Sequence, residues 1–135
     1  MNDLLKNEND LAHVVIGLAI DIHKTLGPGL DHESYLECML YELQMQGIQA
    51  SSNLEKDAYY KNLKLSKGYT IDLLIENILV VEIETTDTVS DMQIQKTLKT
   101  LKLGGYKLGL IINFNSTLLK NGIRRISNIK PQEEF

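Results

Sequence analysis

The chain has 135 residues, 43% hydrophobic and 24% charged, with a single cysteine, Cys38, and few glycines or prolines. That composition suits one domain with a real core and excludes an internal disulfide, a low-complexity or disordered segment, and an apolar run of the roughly 18 residues a membrane span needs. The net charge of −4 argues against tight non-specific nucleic-acid binding, yet it is uneven: residues 1–85 hold 6 basic and 14 acidic side chains (net −8), residues 86–135 hold 8 and 4 (net +4).

The N-terminal ten residues lack the basic region and apolar stretch of a signal peptide, so a cytoplasmic location is expected, with residues 1–135 as one domain. Residues 8–26 predict a helix: Leu11, Val15, Leu18 and Ile22 recur at helical spacing, and Gly27-Pro28-Gly29 ends it. A second helix is predicted over 31–46, with Asp31 as its N-cap and Gly47 after it. Residues 48–53 and 57–60 read as weaker strands and 61–67 as a polar loop. Strands follow at 68–75 and 79–86. A third helix is predicted over 91–103, with Ile94, Leu98 and Leu101 buried and Lys96 and Thr100 on the opposite face. Residues 106–114 read as a buried strand and 122–127 as a last edge strand. This order predicts an α/β domain with a mixed sheet flanked by helices, the third helix being a crossover.

The run from Tyr69 to Glu84 carries the chemistry. Its two apolar segments hold Asp72, Glu82 and Glu84. Glu82 and Glu84 share a side of one strand. A connection made of Glu76, Asn77 and Ile78 sets Asp72 opposite Glu82, whereas a two-residue turn puts the acids on opposite faces. Grouped carboxylates among Val, Ile and Leu carry a desolvation cost that a divalent cation such as Mg²⁺ relieves. Metal plus acid points to phosphodiester chemistry.

The string Gly27-Pro28-Gly29-Leu30, then Tyr35 and Tyr41-Glu42-Leu43, resembles the GxxExxY proteins, small prokaryotic domains of the PD-(D/E)XK nuclease superfamily. Gly68-Tyr69, Asp72-Leu73-Leu74, Val81-Glu82, Leu101-Lys102-Leu103 and Leu108 through Asn115 continue the match, as does the tail from Lys120 to Ile126. The resemblance spans about 8–128. It implies a restriction-endonuclease-like core, with Asp72 and Glu82 holding Mg²⁺ or Mn²⁺ on the central strands. Two residues after the Glu such proteins carry a Lys that activates water and steadies charge.

Here that position is Glu84, the Glu of the Gly-x-x-Glu-x-x-Tyr motif falls on His32, and on the third helix the usual Gln falls on Lys96, a Tyr on Thr100 and a His on Gln93. Some restriction endonucleases of the superfamily carry Glu at the Glu84 position and stay active. His32 loosely resembles the metal-binding His of RecB-like nucleases. The catalytic candidates are therefore Asp72, Glu82, Glu84 and Lys96, the last replacing the strand lysine. The metal candidates are Asp72, Glu82 and His32. Lys120, Arg124 and Arg125 are candidates for a phosphate backbone, while Tyr59 and Tyr60 are weaker ones for stacking. Two readings stand: a metal-dependent nuclease with a rearranged site, or an inactive nuclease-fold module that binds nucleic acid, a protein partner or a second copy.

Overall fold

A computed structural model describes residues 7–128. Residues 1–6, most of the stretch read for a signal peptide, and 129–135, the end of the span read as one domain, lie outside the described residues.

Helix α1 spans Glu8–Leu26 and α2 spans His32–Met45. Asn7 caps α1 by accepting the Asp10 N–H, and Glu8 and Asp10 stand in the first turn, where the unpaired N–H groups favour negative charge. The apolar stripe of α1 is buried as expected, from Leu11 through Val15 and Leu18 to Ile22. The chain then turns through Gly27 and Gly29 at φ of 70° and 108°, values open to glycine. Tyr35 pins this loop. Its hydroxyl donates to the Gly27 carbonyl at 2.6 Å and accepts the Leu30 N–H at 3.2 Å, and its ring stacks on Phe114 at 4.3 Å. Asp31 caps α2 through the Ser34 N–H, which fixes His32 as the first helical residue.

The strands are β1 (Ala50–Lys56), β2 (Tyr59–Tyr60), β3 (Leu63–Lys64), β4 (Tyr69–Ile75), β5 (Leu79–Glu84), β6 (Leu108–Asn113) and β7 (Ile123–Ser127). Helix α3 (Asp91–Gly104) lies between β5 and β6, and a short 3₁₀ turn (Leu119–Gly122) precedes β7. The segment predicted as a polar loop contains β3, which pairs with β2 in a hairpin of its own. The strand read over 57–60 contains β2, whereas β3 is exposed and no buried alternation marks it in the sequence.

The main sheet runs β1-β4-β5-β6-β7, with β5 and β6 parallel and every other pair antiparallel. Helix α3 is the crossover that a parallel pair requires. The helices α1 and α2 cover one face, over Leu73, Ile75, Leu79 and Val81, and α3 covers the other, over Ile71, Leu74, Val80 and Ile111. This is the α/β mixed sheet expected from the order of elements. The buried stripe of α3 differs from expectation. Thr97, Thr100 and Leu101 are buried, while Ile94 and Leu98 are only partly covered. The cause is Gly109 on β6: a Cβ there would stand 3.2 Å from the Thr97 and Leu101 side chains, so its absence lets the helix settle close on that side. Thr100 therefore faces inward, and Lys96 alone of the two is exposed.

Candidate active site

The strands β4 and β5 are joined by Glu76, Asn77 and Ile78, with Glu76 and Asn77 left-handed at φ of 50° and 61° and the Ile78 N–H donating to the Ile75 carbonyl. The connection is the three-residue one. Its register pairs Leu73 with Val81 and Ile75 with Leu79, and one further step sets Asp72 opposite Glu82. The ladder stops short of that step. Ile71 lies in the α3-side cluster with Leu74, whereas Leu73 faces α1 and α2, so the strand's alternation slips by one at Asp72. On β1 the residue between the Ser52–Leu73 and Leu54–Ile71 pairs is Asn53, left-handed at φ 52°. The slip leaves the Asp72 carboxylate in the gap between strands. Its Oδ2 accepts the Ile83 N–H at 2.9 Å and lies 3.0 Å from Nε2 of His32.

Glu82 and Glu84 follow Val80 on β5 with strand periodicity, and both act on the same spot. Burial, then the charge of Asp72 and a hydrogen bond with its carboxyl, push Glu82 up to about 9, against the pull of the Asp72 N–H and of Lys96. Without a cation the charged form of Glu82 is therefore disfavoured. Burial and then Asp72 also raise Glu84, opposed by Lys96, His32 and a hydrogen bond with Gln93. For His32, burial lowers the pKa, but its hydrogen bond to Asp72 and the charges of Asp72, Glu33 and Glu84 outweigh burial and raise it. The other ring nitrogen, Nδ1, lies 3.6 Å from Glu33 Oε1. Lys96 reaches Glu82 and Glu84 electrostatically from α3, without a direct ion pair to either among the described residues.

The structure therefore brings His32, Asp72, Glu82, Glu84 and Lys96 together. It adds two residues that the sequence marks only as points of resemblance. Gln93 completes a capping box with Ser90 and donates to Thr86 Oγ1 at 3.3 Å as well as engaging Glu84. Asn113, fully buried, accepts the Thr86 N–H at 3.1 Å and donates to the Thr86 carbonyl at 2.8 Å, which fixes the chain just beyond Glu84. Beyond that resemblance, Asn113 stands out in the sequence as the polar end of the apolar run Leu-Gly-Leu-Ile-Ile.

The basic candidates sit elsewhere. Lys120 is on the 3₁₀ turn. Arg124 donates to the Asn121 and Ile123 carbonyls, and Arg125 to Asn9 Oδ1 of α1. Their partners on β6, Ile111 and Leu110, belong to opposite faces of the sheet, so the two arginines do not form one patch. Beside the carboxylates a cleft of about 680 Å³ runs between α3 and the start of β4, lined among others by Gln93, Lys96, Lys99, Thr100, Gly68 and Tyr69.

A hard divalent cation suits this donor set. Asp72 and Glu82 offer carboxylate oxygens within reach of each other, and the upward push that burial and Asp72 exert on Glu82 reflects a crowding of negative charge that a cation would relieve. Among the described residues no three His, Cys, Asp or Glu side chains converge as a ready cage. Mg²⁺ does not require one, since it binds through one or two carboxylates and keeps several waters.

A comparison with curated proteins gives no match, and one with solved structures gives none either. A family model of the PD-(D/E)XK nuclease superfamily matches residues 9–126, a span that runs from the first turn of α1 into β7 and includes Asp72, Glu82 and Glu84. With that match over most of its length, and with a five-stranded mixed sheet flanked by helices, the chain belongs to the PD-(D/E)XK nuclease superfamily.

Proposed function

We propose that this domain is a Mg²⁺- or Mn²⁺-dependent nuclease of the cytoplasm that hydrolyses phosphodiester bonds, and that within the superfamily it is a GxxExxY protein with a rearranged site. The observation that carries this reading is the Asp72–Glu82 pair. Two carboxyls meet where the sheet opens, and burial with Asp72 beside it pushes Glu82 above the usual carboxylate range, an arrangement that packing alone does not call for.

Asp72 and Glu82 would hold the cation, which supplies charge neutralisation at the phosphoryl oxygens. His32 has its Nε2 engaged by Asp72, so it orients that carboxylate from outside the ligand set. Glu84, its pKa raised by burial, takes the proton of the attacking water. The water oxygen bonds to phosphorus as the bond to the leaving oxygen breaks, and that oxygen is protonated from solvent. Lys96 steadies the developing negative charge from α3, in place of a strand lysine.

Glu84 also favours a second reading, because it stands where the resembling proteins carry Lys: a module that binds nucleic acid or protein, or pairs with itself, without cutting. Nicking of supercoiled plasmid and cleavage of single-stranded oligonucleotides in Mn²⁺ separate the two. The parent is expected to cut, Asp72→Asn to be silent, and Lys96→Ala to lose at least tenfold. A silent parent, with equal Mn²⁺ titration heats for parent and Asp72→Asn, selects the second reading. Equal cutting by parent and Lys96→Ala removes the lysine from the mechanism and leaves the rest.

A further inference from the structure

Residues 57–67 leave the main sheet after Lys56 and rejoin it at Tyr69, carrying the β2–β3 hairpin between. The neck of this excursion is tied. Ala58 is buried, its carbonyl accepts the Leu65 N–H at 2.9 Å, and Gly68 passes so close to Lys56 that a Cβ there would collide with the Lys56 carbonyl. The hairpin is therefore an anchored projection. It displays Tyr59, Tyr60 and Leu63 at 54%, 61% and 60% exposure, area that contributes nothing to the core. Lys61 stands between them and Lys64 and Lys67 follow, against the single acid Asp57, which pairs with Lys64 at 3.6 Å. Lys61 lies over the Tyr60 ring, 5.4 Å from its centre.

Gly68, at the neck, also lines the α3–β4 cleft. The charged residues of that cleft are Lys96 and Lys99, with no carboxylate on its walls. A second groove, holding Glu55 and Asp57 beside Lys56 and Lys67, meets it at Gly68, Tyr69 and Thr70. In a chain of net charge −4, a cleft whose charged walls are lysines alone, bordered by the Gln93 and Lys96 that act on Glu84 and meeting at Gly68 the groove at the hairpin's neck, is complementary to a polyanion. Exposed aromatic faces stack on unpaired bases while lysines follow the phosphates; a duplex keeps its base faces covered.

We infer that the β2–β3 hairpin and the α3–β4 cleft form one bed for single-stranded nucleic acid, with the tyrosines stacking on bases from the two faces of the hairpin, Tyr59 beside Lys64 and Tyr60 beside Leu63, and Lys61, Lys64, Lys96 and Lys99 following the backbone toward Glu82 and Glu84. The inference rests on the nuclease reading for its direction, because the strand is taken to lead into that site.

The test is fluorescence anisotropy in EDTA, where nothing is cut, with labelled dT20, rU20 and a 20-base-pair DNA duplex. The parent is expected to bind one or both single strands at least tenfold tighter than the duplex. Tyr59→Ala/Tyr60→Ala weakens that binding about tenfold or more, with the circular dichroism and Tm of the parent, and Tyr59→Phe/Tyr60→Phe keeps it, since stacking needs the ring and not the hydroxyl. Lys61→Ala/Lys64→Ala lowers the salt slope of binding by about 1.4, the single-strand value for two neutralised phosphates. The inference is overturned if the double alanine variant binds as tightly as the parent or if the duplex is preferred. It is also overturned if no oligonucleotide binds while the hairpin variants dissociate a dimer, which would make the hairpin a contact between copies. Asp72→Asn is expected to bind at least as tightly as the parent in this metal-free assay, so a failure to cut bears on the nuclease reading alone.

Discussion

Glu82 carries an energetic penalty that changes with pH. Its folded pKa, pushed up to about 9 by burial and then by Asp72, stands above the 4.5 of an ordinary Glu. The folded state therefore binds more protons than the unfolded state between those values, and stability falls as pH rises through that window. His32 adds a loss of the same sign: its raised pKa contributes stability that is present below 6.5 and lost as pH rises through the folded value. Glu82→Gln removes the Glu82 penalty without changing the shape of the side chain. In EDTA it is expected to be more stable than the parent at pH 7 by on the order of 2 kcal/mol, and equal to it near pH 4. Urea unfolding at both pH values measures the difference, and a gap independent of pH would refute the assignment. Mn²⁺ should raise the Tm of the parent and leave that of Asp72→Asn nearly still, because ligand binding stabilises only where a site exists. Glu84 poses a further question at this scale. Glu84→Lys restores the residue of the resembling proteins, and it is expected to raise cutting if the scaffold still supports chemistry. If parent and variant are both silent, the departure from a working nuclease extends beyond this one position.

Between elements, the site depends on how β6 and α3 are set against β5. Asn113 makes two hydrogen bonds with the backbone of Thr86 from a fully buried position. Asn113→Ala leaves those groups unpaired, and a loss of roughly 1–3 kcal/mol is expected on urea unfolding, with cutting reduced because Glu84 and Gln93 lean on the same segment. A loss below about 0.5 kcal/mol would show that solvent replaces the clamp. Gly109→Ala acts on α3, since its Cβ would crowd Thr97 and Leu101 at 3.2 Å and press the helix outward, at a cost of about 1–3 kcal/mol. These relations mark where the sequence could be read and where it could not. The α1 stripe was legible because its spacing is local and one-sided. The meeting of Asp72 with Glu82 was legible only on condition of a three-residue connection, and the slip at Asp72 that sets its carboxylate between strands is not announced by alternation. The inward turn of Thr97 and Thr100 was not legible, because it depends on a missing side chain on another strand. Of the β2–β3 hairpin only β2 was legible, within the strand read over 57–60; β3 fell in the segment read as a loop, because it has no buried side.

For the whole molecule, the uneven charge becomes a difference between faces. Helices α1 and α2 lie on one side of the sheet and carry Glu8, Asp10, Asp21, Asp31, Glu33, Glu37 and Glu42 against Lys24, leaving aside the histidines. Helix α3 lies on the other side with Lys96, Lys99 and Lys102 against Asp91. A polyanion is repelled by the first face and drawn to the second, so the low net charge conceals a directed approach. The prediction is a matched pair of substitutions that each remove one lysine. Lys99→Ala, in the α3 cleft, is expected to weaken single-strand binding and to reduce the slope of log affinity against log salt by about 0.7, the single-strand value for one neutralised phosphate. Lys24→Ala, in the last turn of α1, is expected to leave the slope unchanged although it alters the net charge by the same amount. Anisotropy titrations over a range of salt concentrations decide between the two. Equal changes of slope would mean that nucleic acid responds to overall charge and not to the α3 face, and the strand would then have no preferred path to Glu82 and Glu84.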